Sequence, residues 1–308
     1  MLFKRKYKKN IKFEKHTHAL RLDYQNFMIF FTFLLFWISI QFGQIIEDSI
    51  AYVIILSIGI IHGSNDFTIL KKQQKDRSNY LKSTLFYLFL ILLCLGSYWV
   101  NSFVSILFFI ILSSYHFGEQ HLENKVSGTK FVNTIVYFTY GLLIFSLIFI
   151  ENLEDVDLIM SNLTGVLIPK NIIFGMLIFS VVILGILYLY HLIQKTATKI
   201  HIVKELFYLL LLYLVFRTTS LTLGFAIYFV LWHSIPSIID QTKFLSGSHF
   251  NESIISYIKT ALLYWIISIS GLLMAYVYLS ENYFNSIIFL VLFAVTAPHV
   301  WVMYRMRE

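Results

Sequence analysis

The sequence predicts an all-α fold, a polytopic membrane helical bundle of about ten transmembrane helices. Three observations carry that reading. Of 308 residues, 58% are hydrophobic and only 13% are charged, where a soluble domain holds about 25% charged residues. The apolar residues fall in long unbroken runs, near the ~20 residues that cross a bilayer, and not in the period-two alternation of barrel strands. Basic residues gather on alternate sides of those runs. A soluble enzyme, a disordered chain and a disulfide-rich secreted domain are all excluded. Cys94 is the single cysteine, so no intrachain disulfide forms.

Residues 1–26 read as a basic cytoplasmic tail, carrying Lys4, Arg5, Lys6, Lys8, Lys9, Lys12, Lys15 and Arg21. A cleaved signal peptide does not fit, because the apolar run that follows lacks a small-residue cleavage site. Residues 27–303 read as a single transmembrane domain, and 304–308 as a short cytoplasmic end. The spans are expected at 27–46, 50–70, 81–100, 102–121, 131–150, 171–191, 203–219, 221–241, 255–279 and 283–303. The seventh is the weakest, cleanly apolar only from Leu206 to Phe216. A single helix over 206–239 would nevertheless be about 51 Å long, against a hydrocarbon core of about 30 Å. A turn at Arg217-Thr218-Thr219-Ser220 resolves this.

Charge supports the count. With both ends inside, only Lys170 and Arg217 of the 24 Lys and Arg fall on the outer side. Glu47, Asp48, Glu151, Glu154, Asp155, Asp157 and Glu281 occupy the outer loops. Removing one span would send the later basic loops to the wrong side. The net charge of +7 therefore borders a cell (inner) membrane and argues against a nucleic-acid partner. No glycine-rich phosphate loop, Cys-x-x-Cys pair or Gly-x-Ser-x-Gly elbow is present.

Chemistry must then come from polar groups within the spans, where ionisable residues are costly. His16, His18, His191, His201 and His249 lie in the tail or in loops and at their borders. His62, His116, His233 and His299 lie in the second, fourth, eighth and tenth spans, all running outside to inside. They precede Lys71, Lys125, Lys243 and Arg305 by nine, nine, ten and six residues. At about 1.5 Å per residue, all four sit roughly 9–15 Å above the basic border. Four imidazoles in one slab point to a metal site, and imidazole suits Fe, Cu, Zn and Ni. Two stacked bis-histidine haems would need two depths; one depth favours a mononuclear centre.

The neighbours extend the candidate site. Asp66 follows His62 by four residues, on the same helical face, and is placed to orient a ligating imidazole. Glu119 follows His116 by three. His121 falls about 140° around the helix from His116, so it reads as interfacial. Pro236 and Pro298 flank His233 and His299 and are placed to shape a cavity.

Taken together, Gly59–Leu70 (GIIHGSNDFTIL), Ser113–Gln120 (SSYHFGEQ), Tyr228–Gln241 (YFVLWHSIPSIIDQ) and Pro298–Met303 (PHVWVM) resemble the Brp/Blh family of membrane-bound β-carotene 15,15′-dioxygenases. The Trp-His-Ser-Ile-Pro-Ser form is similar to its flavobacterial branch. The resemblance implies non-haem Fe(2+) as cofactor, β-carotene and O2 as substrates, and central cleavage into two retinals. It implies His62, His116 and His233 as metal ligands. Where better-known members carry a further histidine, four residues after the third ligand, this chain has Ser237. His299 replaces it on depth. A functional link to a retinal-binding rhodopsin is a further expectation. Two other readings stay open: a non-enzymatic carotenoid- or retinal-binding accessory protein for an opsin, and a haem-bearing electron carrier.

Overall fold

The computed structural model describes residues 24–74, 76–193, 200–246, 250–278 and 284–307. Most of the expected basic tail, residues 1–23, lies outside them, as do His16, His18 and His249. The described residues are helical, with no strand among them.

Helix α1 covers Tyr24–Gln41. α2 (Gln44–Ile54) runs into a π-helical turn at Ile55–Gly59; a non-helical turn at 62–65 then precedes α3 (Asp66–Gln73). α4 (Arg77–Val100), α5 (Ser102–Leu122) and α6 (Lys130–Glu151) follow, then α7 (Leu153–Thr164), α8 (Lys170–Ile193) and α9 (Ile202–Thr218). α10 (Leu221–Ile227), a π-helical segment at Tyr228–Ser234 and α11 (Ile235–Ser246) form one unbroken rod. α12 (Phe250–Tyr278) and α13 (Phe284–Arg307) close the chain.

Each expected span corresponds to one of these helices or broken helices. Among the described residues, seven helical segments are long and apolar enough to cross a membrane. They divide by burial. The segments of α5, α6 and α10–α11 are 56%, 61% and 67% buried, whereas those of α1, α4, α8 and α12 are 11–17% buried. The outer helices turn Phe86, Leu92, Phe179, Ile186 and Leu263 outward. Apolar surface that continuous is what a helix facing lipid presents.

The centre of the bundle is the α5–α6 pair. Each helix places a glycine against the other's backbone. A Cβ on Gly118 would stand 1.8 Å from Tyr137 O, and one on Gly141 would stand 1.9 Å from Ser114 O. Small residues let helix backbones approach this closely, and van der Waals contact is what holds helices together in lipid.

Three boundaries depart from expectation. The first turn falls at Phe42–Gly43 and not at 47–49, so Glu47 and Asp48 belong to α2. Both then brace the start of α10: Glu47 Oε2 accepts from Ser220 N at 2.6 Å, and Asp48 Oδ1 from Ser220 Oγ at 2.8 Å. Acidic groups at a helix N-terminus offset its unpaired N–H groups. The expected loop after residue 151 contains α7, whose Val156, Met160 and Leu163 are buried. The second span is broken at His62, for reasons that belong to the site.

Candidate functional site

His62 sits where the second span stops being a helix. His62 N still reaches Ile58 O at 3.2 Å, but Gly63 and Ser64 make only tight-turn bonds, to Ile60 O and Ile61 O. Unwinding strips the carbonyl of His62 of its helical partner, which is tolerable at membrane depth only if protein replaces it. Gln241 Nε2 donates to His62 O at 2.9 Å, and Tyr257 Oη lies 3.3 Å from the carbonyls of Ile61 and His62. The one Tyr257 hydroxyl proton has its shortest contact at Gln241 Oε1, 2.8 Å, which turns the amide so that Nε2 faces His62 O. Asn65, fully buried, donates to Tyr257 O and accepts from Thr260 Oγ1. The break is thus a built feature, held from α11 and α12.

His116 lies on α5 two residues before Gly118. His233 lies in the π-helical segment, a geometry that turns side chains off the regular helical face and recurs at functional sites. His299 follows Pro298 in α13, which stays helical through the proline.

These elements bring all four imidazoles into mutual contact. Ring centroids lie 5.4 Å apart for His62–His233, 4.8 Å for His62–His299, 4.7 Å for His116–His233 and 5.2 Å for His116–His299. Every pair meets edge to face. All four residues are buried.

Two rings are held by protein oxygen. His62 Nδ1 lies 2.5 Å from Gly59 O, and His299 Nδ1 lies 2.9 Å from Asp66 Oδ1. Both are donor contacts, leaving Nε2 with the lone pair. Four other nitrogens are orphaned. His116 Nδ1 and Nε2, His233 Nδ1 and His299 Nε2 are buried without a hydrogen-bond partner. Each such group costs about 1–3 kcal/mol when left unpaired. Among the described residues no three His, Cys, Asp or Glu side chains form a ready-made cage; the orphaned nitrogens and contacting rings mark the site. Neutral imidazole nitrogens without partners suit a first-row transition metal, so the residues present fit one.

Asp66 corrects the reading from spacing. The turn at 62–65 takes it off the face of His62, and its carboxylate instead accepts from His299 and from Tyr87 Oη at 2.9 Å. Glu119 accepts from Tyr115 Oη at 2.7 Å and pairs with Arg307 Nη1 at 2.6 Å, with His116 Nδ1 3.9 Å away. His121 stands outside the cluster. It stacks on Tyr140 and bonds Glu205 Oε2 at 2.7 Å beside Lys125. Ser237 is bonded by Gln241 Nε2 and lies 4.0 Å from Met303 Sδ, its hydroxyl engaged away from the rings.

Asn65, Gln241, Tyr257 and Tyr87 were not singled out from sequence. The first two carried a signal, as polar side chains within spans. Phe117 and Phe229, whose rings lie 4.6 Å from His233 and 5.3 Å from His62, carried none in so aromatic a chain.

A multi-span helical protein with four imidazoles in contact at its buried centre is the class that fold and site define. Residues 53–307 match the family model for beta-carotene 15,15'-dioxygenase, a stretch that contains all four histidines, and the chain belongs to that family. No curated protein and no solved structure matches it.

Proposed function

We propose that the protein is a non-haem iron enzyme that cleaves the central 15,15′ double bond of β-carotene with O2, giving two retinals. The observation that carries this is the group of four buried, mutually contacting imidazoles with orphaned nitrogens, inside the matched stretch. His62, His116, His233 and His299 would hold the metal. Ferrous iron so bound supplies the redox chemistry that lets O2 react with a polyene. The reaction balances unaided: one double bond and one O2 become two aldehydes, so no protein nucleophile or external reductant is needed.

The remaining residues position and exclude. Asp66 and Gly59 O fix the tautomers of His299 and His62. Phe117 and Phe229 wall the rings with hydrocarbon and keep water from reactive species. The enzyme lies in the cell membrane, reaches its lipid-dissolved substrate there, and serves a retinal-binding rhodopsin.

Expression in bacteria that make β-carotene is expected to bleach the orange colour with the appearance of retinal. The purified protein should hold about one iron per chain, as one shared set of imidazoles requires, without the intense Soret band of haem. Stoichiometric zinc or haem would overturn the assignment, and retained iron and carotenoid without retinal would identify an accessory binding protein.

The basic-residue distribution supports a cytoplasmic position for both termini and a site in the inner half of the bilayer. Reporter fusions after Lys125 and Lys199 should read cytoplasmic, and one after Asp155 external. An external signal at Lys199 would overturn this orientation.

A further inference from the structure

A second feature lies in the bundle beyond the imidazoles. A cavity of about 130 Å³ opens between α2, α5, α6, α7, α10 and α13. Ile106, Phe109 and Ile110 line it from α5, Phe145 from α6, and Val156 and Met160 from α7, the helix that follows the end of α6. Tyr52 and Thr222 bring the only hydroxyls among its lining residues. Ile110 and Ile106 precede His116 by six and ten residues, so this wall runs from about 9 to about 15 Å along α5 from the imidazoles.

The cavity is joined to the imidazoles by rings in contact. Phe225, which lines it, stacks on Phe229 at 5.3 Å, and Phe229 stacks on His233 at 5.8 Å. From the other side Phe145 stacks on Phe117 at 5.5 Å, and Phe117 meets His233 at 4.6 Å. Phe117 and Phe229, 6.3 Å apart, form the partition between cavity and cluster. Gly59 gives Phe229 its room, since a Cβ there would stand 2.9 Å from its Cε1.

We infer that this cavity receives one ring-bearing arm of the carotenoid, with Phe117 and Phe229 as the gate the polyene threads and α7 as the stop for the ring. The inference rests on the functional reading above. A hydrocarbon-lined chamber cannot hold a polar ligand without leaving it unpaired, whereas hydrocarbon matches its lining, and about 130 Å³ takes a group of about one six-membered ring, the ring end of that arm. Held between gate and stop, the arm has a fixed length. The distance from ring to scissile bond is then measured by the depth of the cavity, which makes Val156 and Met160 specificity-determining residues.

The test plugs the far end with Val156→Trp and, separately, Met160→Phe. Each is assayed on β-carotene and on a carotene hydrocarbon keeping one ring-bearing arm, the other being truncated to a hydrocarbon end. The truncated arm should still enter a shortened cavity. Cleavage of β-carotene is expected to fall about tenfold or more, the discrimination an apolar pocket gives against excess length, while the truncated substrate still yields retinal near the wild-type rate. Parallel loss of both substrates in a folded variant, or loss of neither, would overturn the inference. The functional reading fails separately, if wild type forms no retinal from either substrate. The cavity is then judged by carotenoid absorbance of the purified protein: depletion in Val156→Trp supports it, and equal retention defeats it.

Discussion

His233→Ala is expected to abolish retinal formation and to empty the protein of iron. His233 contacts both His62 and His116 in the ring cluster, and its Nδ1 has no other partner. Loss of an outer hydrogen-bond partner to a ligand costs about 10–100-fold in metal affinity or activity. Loss of the ligand itself should exceed that range. His62→Ala, His116→Ala and His299→Ala should behave alike, while Asp66→Asn, which disturbs only the carboxylate behind His299, should fall inside it. Ser237→Ala should keep iron and most turnover, because its hydroxyl is spent on Gln241 and Met303. The His116→Ala, His233→Ala and His299→Ala variants should still fold, since each removes at least one buried nitrogen that lacks a partner. Metal analysis alongside retinal yield checks the series. Full iron and turnover in His299→Ala would reduce the centre to three histidines.

Gly118→Ala should be the most damaging single methyl outside the imidazoles. Its Cβ would lie 1.8 Å from Tyr137 O, and the obstacle is backbone, which cannot rotate away. α5 and α6 would have to separate, beyond the about 1–3 kcal/mol typical of overpacking a flexible core. His116, one half-turn earlier, would move with α5. Gly141→Ala should act the same way through Ser114 O, at 1.9 Å. Gly96→Ala and Gly175→Ala provide controls, since nothing lies within 4 Å of either added Cβ. Thermal unfolding in detergent, followed by size-exclusion chromatography, measures the difference. A Gly118→Ala protein as stable as the Gly96→Ala control would show that the helices tolerate separation.

The span pattern and the shared depth of four histidines were legible because both depend on local quantities, hydropathy and helical rise. Depth alone brought His62, His116, His233 and His299 to one level, and the structure shows their rings in contact. What was not legible is non-local. The break at 62–65 is stabilised by Gln241 and Tyr257, nearly two hundred residues away, so nothing near His62 announces it. Asp66 reads as sharing the face of His62 for the same reason, because the spacing argument takes the helix as unbroken. α7 escaped notice because its acidic first turn, Glu154 and Asp155, reads as loop while its buried face is short.

The turn at His62 also has a consequence for biosynthesis. Its carbonyls depend on residues 241 and 257, and the fourth imidazole is supplied by residue 299. At translation rates of about 5–20 residues per second, this part of the membrane domain waits on the order of tens of seconds for its partners. During that interval the nascent chain cannot bring four imidazoles together. Assembly of the four-imidazole cluster is thereby deferred until the last helix docks, and a truncated or stalled chain is left without a complete one.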